Sequence, residues 1–300
     1  MDPYDVTYLG TASGQLADAF AAMWLQAPEN ESPIQNDFIW ASAQGSTPIP
    51  DPVDYILGHL MIQSAAVYTS LKGLANLFQE PYLAVPAEVI TRSLVETALS
   101  ASWVLQGVDS AERIARGLAV AKDDAKEERK LAVALEDSRP SSQSLMAAAE
   151  TAAAAYRSAA VGTFEALRLP YVSTPSATSL FRTSFAGRLP DGIGEHAFLA
   201  TSGVAHGRPS ALERAFDPDP QGFARRHSPS PVMAWVMWLI SAEAVNVLAE
   251  ATTTHFGWAN EPWGTVFATT RTTVAAEDKL ARQLVADELQ SRARRLPDYG

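Results

Sequence analysis

The sequence predicts an all-α protein, a single-domain bundle of about seven to eight helices with two long irregular loops. Three observations carry this. Apolar residues recur every three or four positions along most of the chain, the helical spacing. β-Branched and aromatic residues form no alternating runs of the kind a half-buried strand needs. Alanine, the best helix former, is abundant within a globular balance of 47% hydrophobic and 19% charged residues. Composition does not shift sharply anywhere in the 300 residues, so one domain is expected over 1–300. It divides into an arm at 1–52, a helical core at 53–256 and a C-terminal helix at 257–300.

Taken in order, a short helix is expected over 14–26. Residues 27–52, "APENESPIQNDFIWASAQGSTPIPDP", are rich in proline, asparagine and serine and read as a long loop. Phe38, Ile39 and Trp40 are expected to anchor it. Long helices follow over 53–79 and 85–105, stopped near Pro81 and Gly107. A third, over 110–137, takes Ser110 as N-cap with Glu112 in its first turn. From 109 to 139 eight acidic and seven basic residues nearly balance, the mark of an exposed helix laced with ion pairs. An alanine-rich helix over 142–167 is expected to fold back on it as a hairpin. Residues 168–190 are broken by Pro170, Pro175, Gly187 and Pro190 and read as irregular. A helix over 191–205 leads into a second irregular segment, "FDPDPQGFARRHSPSP". A strongly apolar helix spans 232–256, and a charged amphipathic one spans 266–296.

The composition excludes several classes. There is no cysteine, hence no disulfide, thiolate catalysis or cysteine-bound metal. A formal net charge of −11 repels phosphate backbones at long range. The small basic patches "ARRH" at 224–227 and "RARR" at 292–295 read as solvated surface, the second also suiting a helix C-terminus. The amino terminus lacks the basic and apolar regions of a secretory signal. The longest uncharged run, 55–71, carries His59, Gln63, Ser64, Tyr68 and Thr69, and reads as a buried helix rather than a membrane span. No membrane association is expected, and the cytoplasm is the expected compartment.

Two stretches hold the candidate chemistry. On the 85–105 helix, Val85, Val89, Arg92, Glu96, Leu99 and Trp103 are spaced to share one face, beside a second apolar stripe. Arg92 and Glu96 are the only formal charges between Val89 and Val108, on a helix otherwise apolar over much of its surface and expected to be buried. Buried charges are costly unless paired or serving a site. Arginine before glutamate is the weaker i,i+4 orientation, so a partner from another helix is expected. In "TSGVAHGRPS", 201–210, Glu195, Ser202 and His206 fall within about 40° of one another around a continuous helix. Gly207 and Pro209 read as helix-stop residues, which gives His206 an equally good structural explanation. Among weaker candidates, His59 with Gln63 reads as a satisfied core histidine. Glu243, Asn246 and Glu250 line one side of the 232–256 helix, toward a polar cavity or toward water. Trp235, Trp238, Trp258 and Trp263 read as core and loop anchors. No metal motif, phosphate-cradling loop, nucleophile elbow or dinucleotide fingerprint occurs, so neither metal nor cofactor is expected.

The segments "VITRSLVETA" (89–98) and "LATSGVAHG" (199–207) resemble paired R-x3-E and S-x3-H elements of bacterial helical families, distantly similar to the HEPN superfamily. That resemblance implies a helical bundle, a homodimer, RNA as partner and metal-independent ribonuclease activity in a defence or toxin module. Under it, Arg92, Glu96 and His206 are catalytic: His206 as general acid or base, Arg92 or Arg208 steadying phosphate charge, and Glu96 orienting a neighbour. Ser202, Arg208 and Glu195 are binding residues. HEPN nucleases carry an arginine before the histidine, whereas here Arg208 follows it. The alternative is a non-catalytic helical binding or regulatory protein in which the same cluster is structural or holds a small ligand.

Overall fold

The computed structural model describes residues 5–79, 82–136, 143–189, 201–202 and 231–295. Among these are nine helices and no strand. They are α1 Thr7–Met23, α2 Pro33–Ala43, α3 Pro52–Leu77, α4 Ala84–Leu105, α5 Ser110–Glu136, α6 Gln143–Ala166, α7 Ala177–Phe185, α8 Pro231–Phe256 and α9 Glu261–Arg295. The all-α bundle read from the sequence is therefore what forms, with more helices than expected.

The added helices lie in segments read as loops. α2 starts at Ser32-Pro33, where proline fits the first helical turn because its missing N–H needs no partner there. Its residues Ile34, Asp37 and Ala41 point into the core, Phe38 and Trp40 pack at the rim, and Ile39 is exposed rather than an anchor. α7 is capped by Ser176, whose Oγ accepts from the Ser179 amide at 3.2 Å. α1 begins at Thr7, well before residue 14, because the stripe Leu9, Ala12, Leu16 and Phe20 buries as one face. α9 likewise begins earlier than expected, at Glu261.

α8 is the central element. It packs chiefly against α4, and also against α1, α2, α7 and α9, while α3 lies between α4 and α1. Both helices bury small residues, Ala87, Ala98 and Ala101 of α4 and Ala234 and Ala244 of α8, and Ser241 Oγ of α8 donates to Thr91 Oγ1 of α4 at 3.4 Å. α8 is also the one described helix long and apolar enough to cross a membrane, and 78% of that stretch is buried inside the bundle. It reads as the core helix.

Two further expectations change. The uncharged run 55–71, expected to be buried, is an α3 segment with an open outer face: Met61 and Ile62 are 62% and 69% exposed. α5 is capped by Asp109 rather than Ser110, the Glu112 amide donating to Asp109 Oδ1 at 2.8 Å. Its first half is not solvated, since Ile114, Ala115, Leu118 and Ala119 sit in the core. α5 and α6 pack on each other as the hairpin reading requires.

Candidate functional site

The ends of five helices meet around one apolar pocket. Its walls are Ile34 of α2; Val53, Ile56, Leu57 and Leu60 of α3; Val104 and Leu105 of α4; and Ile114 of α5. Three polar side chains close it: Asp37, Arg113 and His255. Its enclosed space is about 20 Å³, the scale of a single water, and the rest opens to solvent at the mouth.

Each polar group is placed by its own helix. Asp37 sits on the inward face of α2, one turn beyond Ile34, with its side chain 4% exposed. Arg113 lies in the first turn of α5. Its Nε donates to the Asp37 carboxylate at 2.9 and 3.2 Å, and its Nη2 at 2.6 Å. Its Nη1 donates to the Gly107 carbonyl at 2.9 Å. This is the forked geometry in which a guanidinium binds a carboxylate most strongly. It offsets the cost of burying both charges and ties α2 to the α4–α5 junction.

His255 ends α8, and a collar of contacts holds it there. Gly257 takes the left-handed φ of +73° that terminates a helix, and the Trp258 amide returns to the Thr253 carbonyl at 2.9 Å. The incoming chain clasps this turn: the Glu29 amide donates to the Phe256 carbonyl at 3.0 Å, and Trp258 Nε1 to the Ala27 carbonyl at 2.8 Å. Trp24, Phe256 and Trp258 pack ring against ring around it. The His255 ring is thereby set with Nε2 3.6 Å from Asp37 Oδ2. Burial pushes its pKa down to about 4, Asp37 pulling it up and Arg113 pushing it further down. His255 is therefore neutral at pH 7. Its Nδ1 is buried with no hydrogen-bond partner among the described residues.

A second polar junction answers the open question about Glu243, Asn246 and Glu250. They meet two arginines, with Glu243 and Asn246 buried and Glu250 37% exposed at the rim. Arg188 reaches Glu243 at 3.4 Å and Glu250 at 3.2 Å through Nη1, and Arg271 reaches Glu243 at 3.2 Å. Asn246 donates to Glu250 at 2.9 Å and accepts from Trp263 Nε1 at 2.9 Å. Two positive and two negative groups close on one another, clamping the chain after α7, the middle of α8 and the start of α9.

The residues singled out from the sequence fall as follows. Arg92 Nη2 and Glu96 Oε1 pair at 2.6 Å within α4. Their side chains are 19% and 36% exposed, so they lie at the rim of the helix rather than in its interior. The fully buried acid of α4 is Glu88, outside the stretch considered. Ser202 has helical backbone and is half-buried. Glu195, His206 and Arg208 lie outside the described residues. His59 is half-buried rather than core, and its Nε2 engages the Tyr55 hydroxyl, whose ring stacks on Tyr156. Trp238, Trp258 and Trp263 are buried and Trp235 packs beside them, as anchors should. Among the described residues no group of three histidines or carboxylates could hold a metal ion.

Sequence reasoning missed Asp37, Arg113 and His255. Asp37 fell in a segment read as loop, and Arg113 in a helix read as solvated. The signal that was present is the amphipathic spacing Ile34, Asp37, Ala41, which puts an acid on an inward face. No family model, curated protein or solved structure matches this chain.

Proposed function

We propose that this chain is a non-catalytic helical binding protein whose ligand is a small molecule seated at the open mouth of the pocket between α2, α3, α4, α5 and α8. The observation that carries this is an apolar pocket with buried polar groups converging at one end, the usual form of a ligand site. Binding is favoured over catalysis by the state of those groups. Both Asp37 oxygens are engaged by Arg113, which leaves the carboxylate poorly placed to take a proton. His255 stands 3.6 Å from Asp37, outside hydrogen-bond range, so the pair lacks the aligned contact of a base and its orienting acid.

The test is a small-molecule titration followed by NMR, on wild type and on Leu60→Trp, which fills the pocket. Saturable shifts of pocket methyls in wild type, absent in the folded variant, support the reading. The absence of such shifts with every probe, or equal shifts in both proteins, would overturn it.

The ribonuclease reading keeps one supporting observation, the Arg92–Glu96 ion pair formed within the R-x3-E element. It predicts cleavage of a mixed RNA pool by wild type and its loss in a folded His206→Ala variant. That result would replace the binding proposal.

A further inference from the structure

We infer that a second binding site lies in the groove between α1 and α3, and that it takes a neutral, flat aromatic molecule of two fused rings. The inference goes beyond the binding reading above, because this groove and the pocket mouth share no lining residue. The free space of the groove is about 230 Å³, open to solvent along one side. An apolar space of about 150 Å³ holds one benzene ring, so this groove has room for two fused rings with an edge left in water.

The two helices run antiparallel and touch at one end, where a Cβ on Gly10 would meet the Ala75 carbonyl oxygen at 2.7 Å. At the other end Trp24 of α1 stands opposite Met61 and Tyr68 of α3, with Phe20 almost fully buried beneath them. The small side chains of Ala21 and Ala65 leave the slot between them unfilled. Its aromatic residues are held from behind. Trp24 packs edge-on against Phe256 and Trp258 of the collar, with ring centroids 5.6 and 5.7 Å away. Phe20 packs edge-on against Trp263 at 6.2 Å. Rings fixed before a guest arrives need little ordering when it binds. Indole, phenol and thioether together favour a ring over an aliphatic body, through edge and face contacts and sulfur–ring contact.

Charge is selected against because the groove offers nothing to balance it. Among the described residues, none that lines it is an acid, lysine, arginine or histidine. The charges beside it, Asp18 and Lys72, pair with each other at 2.6 Å, and Lys72 Nζ also stands 5.9 Å from the Tyr68 ring centre. A charged guest would shed water without gaining a partner. The net charge of −11 further disfavours an anion. The Asp18–Lys72 pair also sets the length of the site. It bridges α1 and α3 one turn beyond Ala21 and Tyr68, which ends the groove there. The result is a slot for a small molecule rather than a track for a docking helix.

The experiment titrates full-length protein carrying ¹³C-methyl methionine, at pH 7, with 2-naphthol, 2-decalol and 2-naphthoate. The first two share a fused-ring frame and a hydroxyl and differ in aromaticity; the third carries a charge. The expected result is a saturable upfield shift of the Met61 methyl with 2-naphthol, from the ring current of a stacked guest. 2-Decalol should bind roughly 2- to 10-fold more weakly, the worth of aromatic contact beyond buried area. 2-Naphthoate should bind more weakly by at least about 10-fold. Ala65→Trp, a change at an exposed position, should fill the slot and abolish the shift. If 2-decalol or 2-naphthoate binds as tightly as 2-naphthol, the ligand class is wrong. A 2-naphthol shift that survives in the folded variant, or no Met61 shift with any probe, overturns the site. A Met61 shift that follows protein concentration without a probe, with a dimer in sedimentation, means that a second copy covers the groove and also overturns it. The Met61 shift and the ranking of the probes are measured on wild type, so the inference does not depend on the variant folding.

Discussion

At the scale of the residue, the pocket end is governed by how two buried charges and one buried ring share a small space. His255 is pushed from 6.5 to about 4 by burial, with Asp37 and Arg113 the charged groups facing it. The folded state therefore resists protonating a ring that the unfolded chain protonates readily. This contribution to stability is fully present above pH 6.5 and is lost as the pH falls through 4. Wild type should lose roughly 3 kcal/mol more than His255→Gln between pH 7 and pH 4, measured by urea unfolding at each pH. Equal losses would show that the ring is not held neutral. Asp37→Asn is expected to be harsher, because Arg113 would keep its charge in a site only 13% exposed and lose its partner. A loss of about 3–5 kcal/mol in denaturant stability is expected, and the paired change Asp37→Leu with Arg113→Met should recover most of it.

At the scale of the element, the end of α8 matters more than its middle. The middle is held by many interchangeable aliphatic contacts with α4, whereas the last turn depends on one backbone conformation. Gly257 has a φ of +73°, and a Cβ there would sit 3.1 Å from Glu29 and 3.2 Å from Ser32. Gly257→Ala should cost about 1–2 kcal/mol by chemical denaturation and move the His255 ring signals, since the same turn orients that side chain. A variant as stable as wild type would mean that the collar can slacken without loss. The Arg188–Glu243–Glu250–Arg271 junction makes a different demand. Glu243 is buried and serves both arginines, so Glu243→Ala leaves Arg188 with Glu250 and takes from Arg271 the carboxylate it reaches. A double-mutant cycle between Glu243→Ala and Arg271→Ala should give a coupling of about 0.5–3 kcal/mol. A coupling near zero would reduce the junction to independent surface contacts.

At the scale of the whole molecule, one contiguous core runs from Val6 through Val274 and includes residues from every described helix, α6 contributing Ala160. With no internal boundary in that core, heating should produce one cooperative transition with equal calorimetric and van't Hoff enthalpies. Two resolved calorimetric peaks would divide the chain into separate units. The helices themselves were legible in the sequence, because a helix is specified locally by spacing and end residues. α3, α4, α5, α6 and α8 fall within a few residues of where spacing and stop signals put them. α2 and α7 were missed because they are short, and their prolines and serines, read as loop, are in fact starting and capping residues. Arg92 and Glu96 were found because a charge in an apolar helix is visible along the chain, though only packing shows that they lie at the rim. Asp37 and Arg113 are 76 residues apart, and His255 lies farther on in a third helix. None is unusual in its local sequence. What joins them is the packing of α2 against α5 and α8, with the collar around Gly257 fixing the end of α8. The sequence by itself determined the helices and which faces seek the core. The tertiary structure alone decided which polar groups meet, because electrostatic and hydrogen-bond energies depend on separations of a few ångströms that no local pattern encodes.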